Sequence, residues 1–406
     1  MERLFEQSIA DVSELHKLSD EDIKILESVD SAAEELVLSE TENYLKRQFN
    51  RDAIKTCKKH GIFAIPIEKK SGGKERAPLV TMLAKERLGQ VGLGLASFLN
   101  VQVFLGELTL QRWANDEQKE RYLEPAVRGE KILAFGLTEP DIGSNPEAMK
   151  TTYRKKGGKF IISGSKYLIT NGSVADNIIL FARSSESTGE ISAFIVDSKS
   201  PGFSATPLKE KIGLFTSDTA FLELKNVVVD KGDVLGKIGH GLSVAYSGLV
   251  NGRFGVSAGC IGCIEDCLNV ASNRARERIQ FNKPIGKHQL IQRHIAEIAK
   301  NLEMARWPAY FMAIKRAEYD KSPDNKILRE DMDRRTSLAK RIASRLAFES
   351  ADHAVQVLGG LGYTTLASPG RHYCDSRVTR IYEGTDEIMD LKIAAYVLGE
   401  EFKAFY

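Results

Sequence analysis

The chain has 406 residues, with 57 Lys+Arg against 55 Asp+Glu and a formal net charge of +2. It is too long for a single hydrophobic core, so two or three domains are expected. The balanced charge excludes the basic footprint of a nucleic-acid-binding protein. No apolar run is read as reaching the roughly 20 residues that cross a bilayer, so no membrane insertion is expected.

The N-terminal MERLFEQSIADVSELHK mixes both charges and fits neither a signal peptide nor an Arg-rich transit sequence. It points to a cytoplasmic protein, with the mitochondrial matrix left open if a transit peptide has been removed. Residues 1–135 read as a helical domain, with acid-rich starts such as Ser19-Asp20-Glu21-Asp22. Within it, residues 91–110 are almost uncharged and carry Gly92, Gly94 and Ala96, which predicts a buried or cavity-lining helix. Residues 136–241 change period: FIISG, NIILFAR, ISAFIVD and AFLELKNVVV are short β-branched or aromatic runs separated by Gly157-Gly158, Asn171-Gly172 and Pro201-Gly202. With no helices between them, they predict an antiparallel β domain. Helical period returns over residues 242–406. Ile291, Ile295, Ile298, Leu302 and Ala305 make one apolar stripe, and Leu338, Ile342 and Leu346 another, with Ser322-Pro323-Asp324-Asn325 as the turn between.

Five cysteines in so long a chain argue against a disulfide framework. Cys260, Cys263 and Cys267 fall on one helix face, where small apolar side chains at a tight helix contact are the simpler reading than a metal site. No metal is expected. Gly92-Leu-Gly94 and Gly360-Leu-Gly362 lack the preceding strand of a dinucleotide fingerprint, so a Rossmann fold is rejected.

Four segments in register carry a resemblance: LTEPDIGSN (137–145), KYLITNG (166–172), ERIQFNKPIG (277–286), and QVLGGLGY (356–363) continuing through YCDSR to IYEGT (381–385). Together they resemble the acyl-CoA dehydrogenase family from about residue 50 onward. The resemblance implies an α+β fold of N-terminal helical domain, central antiparallel β domain and C-terminal four-helix bundle. It implies FAD as cofactor, an acyl-CoA substrate, an electron-transferring flavoprotein as acceptor, and a homo-oligomer, by family habit a tetramer. Taking an α-proton and a β-hydride from a saturated thioester needs a positioned base and a two-electron acceptor, which no side chain supplies.

Glu383 in IYEGT matches the catalytic base. One branch of the family carries its base just before the arginine matched here by Arg253, but that position is Gly252. Ser144, Arg253, Tyr382, Glu383 and Gly384 match substrate contacts. Phe135, Leu137, Thr138, Gly143, Ser144, Leu168 and Thr170 match the surroundings of the flavin ring and pyrophosphate. Arg278, Phe281, Gln289, Gln356, Gly359, Gly360, Thr385 and Glu387 match contacts to the remainder of the cofactor, several of them made across subunits. Glu139 is read as structural. The chain departs from the family pattern at Leu168, where a tryptophan is usual, and at Asn145, Phe215, Cys374 and Asp390. Residues 95–99 hold no cation, which disfavours a dicarboxylic substrate. The competing readings are a flavin oxidase or monooxygenase on the same scaffold, signalled by peroxide formation, and a binding protein that refuses FAD.

Overall fold

The computed structural model describes residues 17–186 and 189–402. Most of the N-terminal segment behind the targeting expectation lies outside them. Helix α1 (Asp20–Leu45) starts at a capping box in which Ser19 and Asp22 exchange hydrogen bonds, Asp22 N–H to Ser19 Oγ at 3.2 Å and Ser19 N–H to Asp22 Oδ2 at 3.0 Å. The acid-rich signature was therefore a true helix start. Helices α2 (Asp52–Lys59) and α3 (Pro78–Val91) follow. The apolar stretch then forms α4 (Leu93–Leu99), a wider π-helical segment Asn100–Glu107, and α5 (Leu108–Trp113). Gly92, extended at φ 170° and ψ 144°, separates α3 from α4, and neighbouring side chains crowd the glycines there. A Cβ on Gly92 would meet Glu40 Oε1 at 2.9 Å, and one on Gly94 would meet Thr216 Oγ1 at 1.9 Å.

An eight-stranded sheet comes next: β1 (Leu133–Gly136), β2 (Thr152–Lys156), β3 (Lys159–Thr170), β4 (Asn177–Ser184), β5 (Ile191–Asp197), β6 (Phe203–Pro207), β7 (Thr219–Val229) and β8 (Val234–Leu235). Its order is β6-β7-β3-β2-β4-β5-β8, with β1 paired to β4. The antiparallel expectation needs correction, because β1 and β2 both run parallel to β4. The chain between β1 and β4 is long enough to return to the same end of the sheet, which a parallel pair requires.

Three long helices and two shorter ones complete the fold: α6 (Gly241–Glu277), α7 (Gln289–Lys321), α8 (Lys326–Leu358), α9 (Ser368–Thr379) and α10 (Asp386–Leu398). A small hairpin, β9 (Ile279–Gln280) with β10 (Lys283–Pro284), joins α6 to α7. The turn at Ser322 is where the sequence put it, and Asn325 caps α8 by accepting from Ile327 and Leu328 N–H. On α8 the buried face is Met332, Thr336, Ala339, Ala343 and Ala347, while Leu338 and Ile342 are half-buried. Small residues let α8 approach α6 closely, so its tightest face is not its most apolar one.

Cys260, Cys263 and Cys267 are buried along α6 as packing residues. Burial pushes the Cys260 thiol up to about 12. Two helical segments, Leu93–Trp113 and Gly241–Glu277, are after all long and apolar enough to cross a bilayer, contrary to the reading of the sequence. Their most apolar stretches are 94% and 83% buried inside the protein, so they form its core. One hydrophobic cluster runs from α1, α3 and α4 through the helical bundle to one face of the sheet, and a second fills the space between the other face, α5 and the start of α6.

Candidate active site

Glu383 sits in the turn between α9 and α10, where Thr385 Oγ1 caps α10 by accepting from Ile388 N–H at 3.2 Å. Glu383 and Gly384 are both left-handed, with φ of +55° and +101°. A non-glycine residue in that region is uncommon and persists where the surroundings enforce it. Here Arg253 Nε donates to the Glu383 carbonyl at 3.0 Å and Lys340 Nζ to the Gly384 carbonyl at 2.7 Å. The side chain turns inward. Asn100 Nδ2 donates to Oε1 at 2.5 Å, while Oε2 is buried with no partner among the described residues. The carboxyl fills the space that a side chain at position 252 would take, since a Cβ on Gly252 would lie 2.1 Å from Oε2.

Burial pushes the Glu383 carboxyl up to about 7, with Arg253, Lys340, the Asn100 hydrogen bond and Lys85 pulling the other way. Desolvation also brings Lys85 down to about 7 and Lys340 to about 8. Arg253 is almost fully buried and is paired on its other side with Asp333 at 2.7 Å, which also holds Lys392 at 2.7 Å. A carboxyl at about 7 can switch between acid and base at neutral pH.

Glu383 lies on the wall of a cavity of about 1610 Å³ that runs between the helical bundle and the sheet. Leu137, Thr138, Gly143, Ser144, Leu168, Thr170, Arg253, Tyr382, Gly384 and Thr385 share that wall. Segments far apart in sequence are thus gathered around one carboxyl. Phe135 does not line the cavity. It is 7% exposed and packs its ring 4.9 Å from that of Phe181, within the second hydrophobic cluster. Arg278, Phe281, Gln289, Gln356, Gly359, Gly360 and Glu387 lie outside the cavity wall and are exposed. Phe281 is 87% exposed at the tip of the β9–β10 hairpin.

The loop holding residues 137–146 hangs from a buried ion pair. Lys166 Nζ donates to Glu139 Oε1 at 2.8 Å and to the Leu137 carbonyl at 3.1 Å, and Glu139 also accepts from the Lys150 and Thr151 N–H groups. Burial raises Glu139, but Lys166 and these donors outweigh it and leave the carboxyl below its usual range. Glu139 is therefore structural, as the sequence suggested. Lys166→Met is expected to destabilise the protein by about 3–5 kcal/mol, because it strands a buried carboxylate. Chemical denaturation would measure this, and a loss below about 1 kcal/mol, as for a surface pair, would refute it.

The departures from the family pattern find local explanations. Leu168 is pushed outward, 54% exposed with φ +57°, at an irregularity in the β3–β7 register, and so reaches the cavity. Asp390 pairs with Arg341 at 2.8 Å, and the Phe215 ring packs with its centroid 5.0 Å from that of Tyr44 and carries the Arg47 guanidinium over it, 4.6 Å from its centroid. Asn145 and Cys374 line the cavity. Asn100, Lys340 and Asp333 escaped the reading of the sequence. The only signal was a pair of amides, Asn100 and Gln102, inside the apolar stretch of residues 91–110, and nothing local marked the two charges on α8.

Comparison with known proteins gives a consistent result. Descriptions of the acyl-CoA dehydrogenase N-terminal, middle and C-terminal domains match residues 19–130, 134–227 and 239–398. An acyl-CoA dehydrogenase of Bacillus subtilis (strain 168) is 36% identical over 354 residues, spanning 87% of this chain and 91% of the relative. A chain in the solved structure of the electron-transferring flavoprotein of Acidaminococcus fermentans is 33% identical with a TM-score of 0.88, covering 94% of this chain and 99% of that one. An acyl-CoA dehydrogenase complexed with FAD from Bacillus anthracis is 29% identical with a TM-score of 0.88, covering 94% and 67%.

Proposed function

The chain belongs to the acyl-CoA dehydrogenase family, and from that membership we propose an FAD-dependent oxidoreductase that takes an α-proton and a β-hydride from an acyl-CoA thioester, with Glu383 as the base. The observation that carries this is a carboxyl poised at about 7 on the wall of the same cavity as the loop of residues 137–146. The residues suit a flavin. Thr138, Ser144 and Thr170 offer hydrogen-bonding groups, Leu137 and Leu168 offer apolar surface, and a Cβ on Gly143 would meet no atom within 4 Å, so room remains beside that backbone. When bound, FAD supplies the two-electron acceptor for the hydride.

Everything else falls to the chain. Glu383 accepts the α-proton on Oε2, the oxygen that Asn100 does not hold. Its own N–H, presented by the left-handed turn, donates to the thioester carbonyl as enolate character develops. Arg253 and Lys340 keep that turn in place through consecutive carbonyls. Tyr382 and Ser144 contact the substrate. The exposed Arg278, Phe281, Gln289, Gln356, Gly359, Gly360 and Glu387 serve the cofactor of a neighbouring copy, where the planar fork of Arg278 suits a pyrophosphate. A homotetramer built as a dimer of dimers follows, with an electron-transferring flavoprotein as the acceptor.

An acyl-CoA panel added anaerobically to the yellow protein tests the proposal. Bleaching by at least one member is expected. Its rate should rise with pH through about 7, because the base works only when ionised and its raised pKa delays ionisation. A flavin that no thioester bleaches would refute the function. Leu168 on the cavity wall favours one second reading, an oxidase, for which peroxide would match turnover in air.

A further inference from the structure

We infer that the acyl group is short: the slot for it ends at the base, closed by Ser97, Asn100 and Phe104 packed against a row of glycines on α6. This inference rests on the dehydrogenase reading of the site and names its substrate class.

The row is Gly252, Gly255 and Gly259, which share one face of α6 by their spacing. Each marks a place where a side chain of another segment presses on the helix backbone. A Cβ on Gly252 would lie 2.1 Å from Glu383 Oε2. One on Gly255 would lie 1.9 Å from Asn100 Oδ1 and 2.9 Å from Phe104 Cδ2, and one on Gly259 would lie 3.1 Å from the Cβ of Ala96. Apolar atoms in contact sit about 4 Å apart, so no channel for a methylene chain runs between α6 and the segment from α4 into the π-helical turn.

The base's turn is stitched to that same segment. Ser97 Oγ and Tyr382 OH are 3.3 Å apart, and Asn100 Nδ2 donates to Glu383 Oε1. Two consecutive residues of the turn thus bond to residues one helical turn apart on the facing segment. Behind the seam, Phe104 stacks on Phe254 with centroids 5.8 Å apart and planes at 29°, both rings being buried. The cavity has the corresponding shape. Of the first helical domain only Arg112 and Trp113 reach its wall, and none of residues 93–107 does. A thioester with its α-carbon at Glu383 has room for the β-carbon and little more. A longer chain would have to break the hydrogen bonds that hold the base and part the aromatic pair.

The substrates expected are short-chain acyl-CoA thioesters of the butanoyl type. Octanoyl-CoA and 3-phenylpropanoyl-CoA should be rejected, since even single methylenes change specificity by about 10–200-fold in a closed apolar pocket. The test is anaerobic flavin reduction by these three thioesters. Wild-type protein should favour butanoyl-CoA by at least about 100-fold in kcat/KM. Phe104→Ala should narrow that ratio at least about tenfold by raising the octanoyl rate. Phe104→Leu, which keeps more of the volume, tests the same direction if the alanine variant does not fold. Preference of the wild type for octanoyl-CoA or 3-phenylpropanoyl-CoA overturns the inference and leaves Glu383 as the base. A ratio unmoved in both variants also overturns it. Bleaching by none of the three while another thioester of the panel bleaches the flavin overturns the inference alone, whereas bleaching by no thioester at all defeats the function with it.

Discussion

Glu383→Gln should retain its flavin and lose the reductive half-reaction by about 10²–10⁴-fold, the usual worth of a positioned general base. The substitution keeps the shape of the side chain and an oxygen that can still accept from Asn100. The turn itself depends on the bonds from Arg253 and Lys340 to backbone carbonyls, which are indifferent to the side chain. Fold and cofactor content should therefore survive while the proton acceptor disappears. Stopped-flow reduction under anaerobic conditions, with the flavin-to-protein ratio measured on the same sample, separates the two effects. Reduction at the wild-type rate would remove Glu383 from the mechanism, and loss of flavin would make its role structural.

Gly252→Ala is the second large effect, and it should move activity and stability apart. The new methyl would lie 2.1 Å from Oε2, 2.6 Å from Cδ and 2.9 Å from Oε1 of Glu383, so the carboxyl must leave its present place. Position 252 lies inside α6, where alanine is the better helix former by about 1 kcal/mol. The helix itself should tolerate the change. The base does not tolerate it, and a displacement on this scale costs about 10²-fold in rate. Thermal unfolding near the wild-type temperature together with a rate about 10²-fold down is the expected pair of results. Full activity would mean that the carboxyl is held elsewhere during turnover.

These two residues illustrate what the sequence made legible. Glu383 could be singled out as the candidate base because IYEGT is a local string in register with three others. Gly252 was noticed for what it is not, a second place for the base. Its actual part, clearance for a carboxyl 131 positions further on, exists only once α6 and the α9–α10 turn are packed together. Asn100 was hidden for the same reason, being one of two amides in an apolar stretch, with a partner 283 residues away. The order helices, sheet, helices could be read from hydrophobic period, because period is a property of neighbours in sequence. The parallel pairing of β1 and β2 with β4 could not, because strand direction depends on how the intervening chain returns. Phe135 shows the remaining limit: two residues apart on one short run, it and Leu137 were assigned to the same wall, yet only Leu137 reaches it.

The cations that hold the base's turn have a second effect. Arg253 and Lys340 fix the two left-handed residues by gripping consecutive carbonyls, and both also favour the ionised carboxylate. Placement and proton affinity therefore share the same anchors. A substitution that loosens the grip makes the carboxyl more basic as it becomes less well aimed, so neither property can drift without dragging the other. Asp333, by neutralising Arg253 from behind, is a position where the two can be uncoupled, since it adjusts the charge felt by the base without touching the turn.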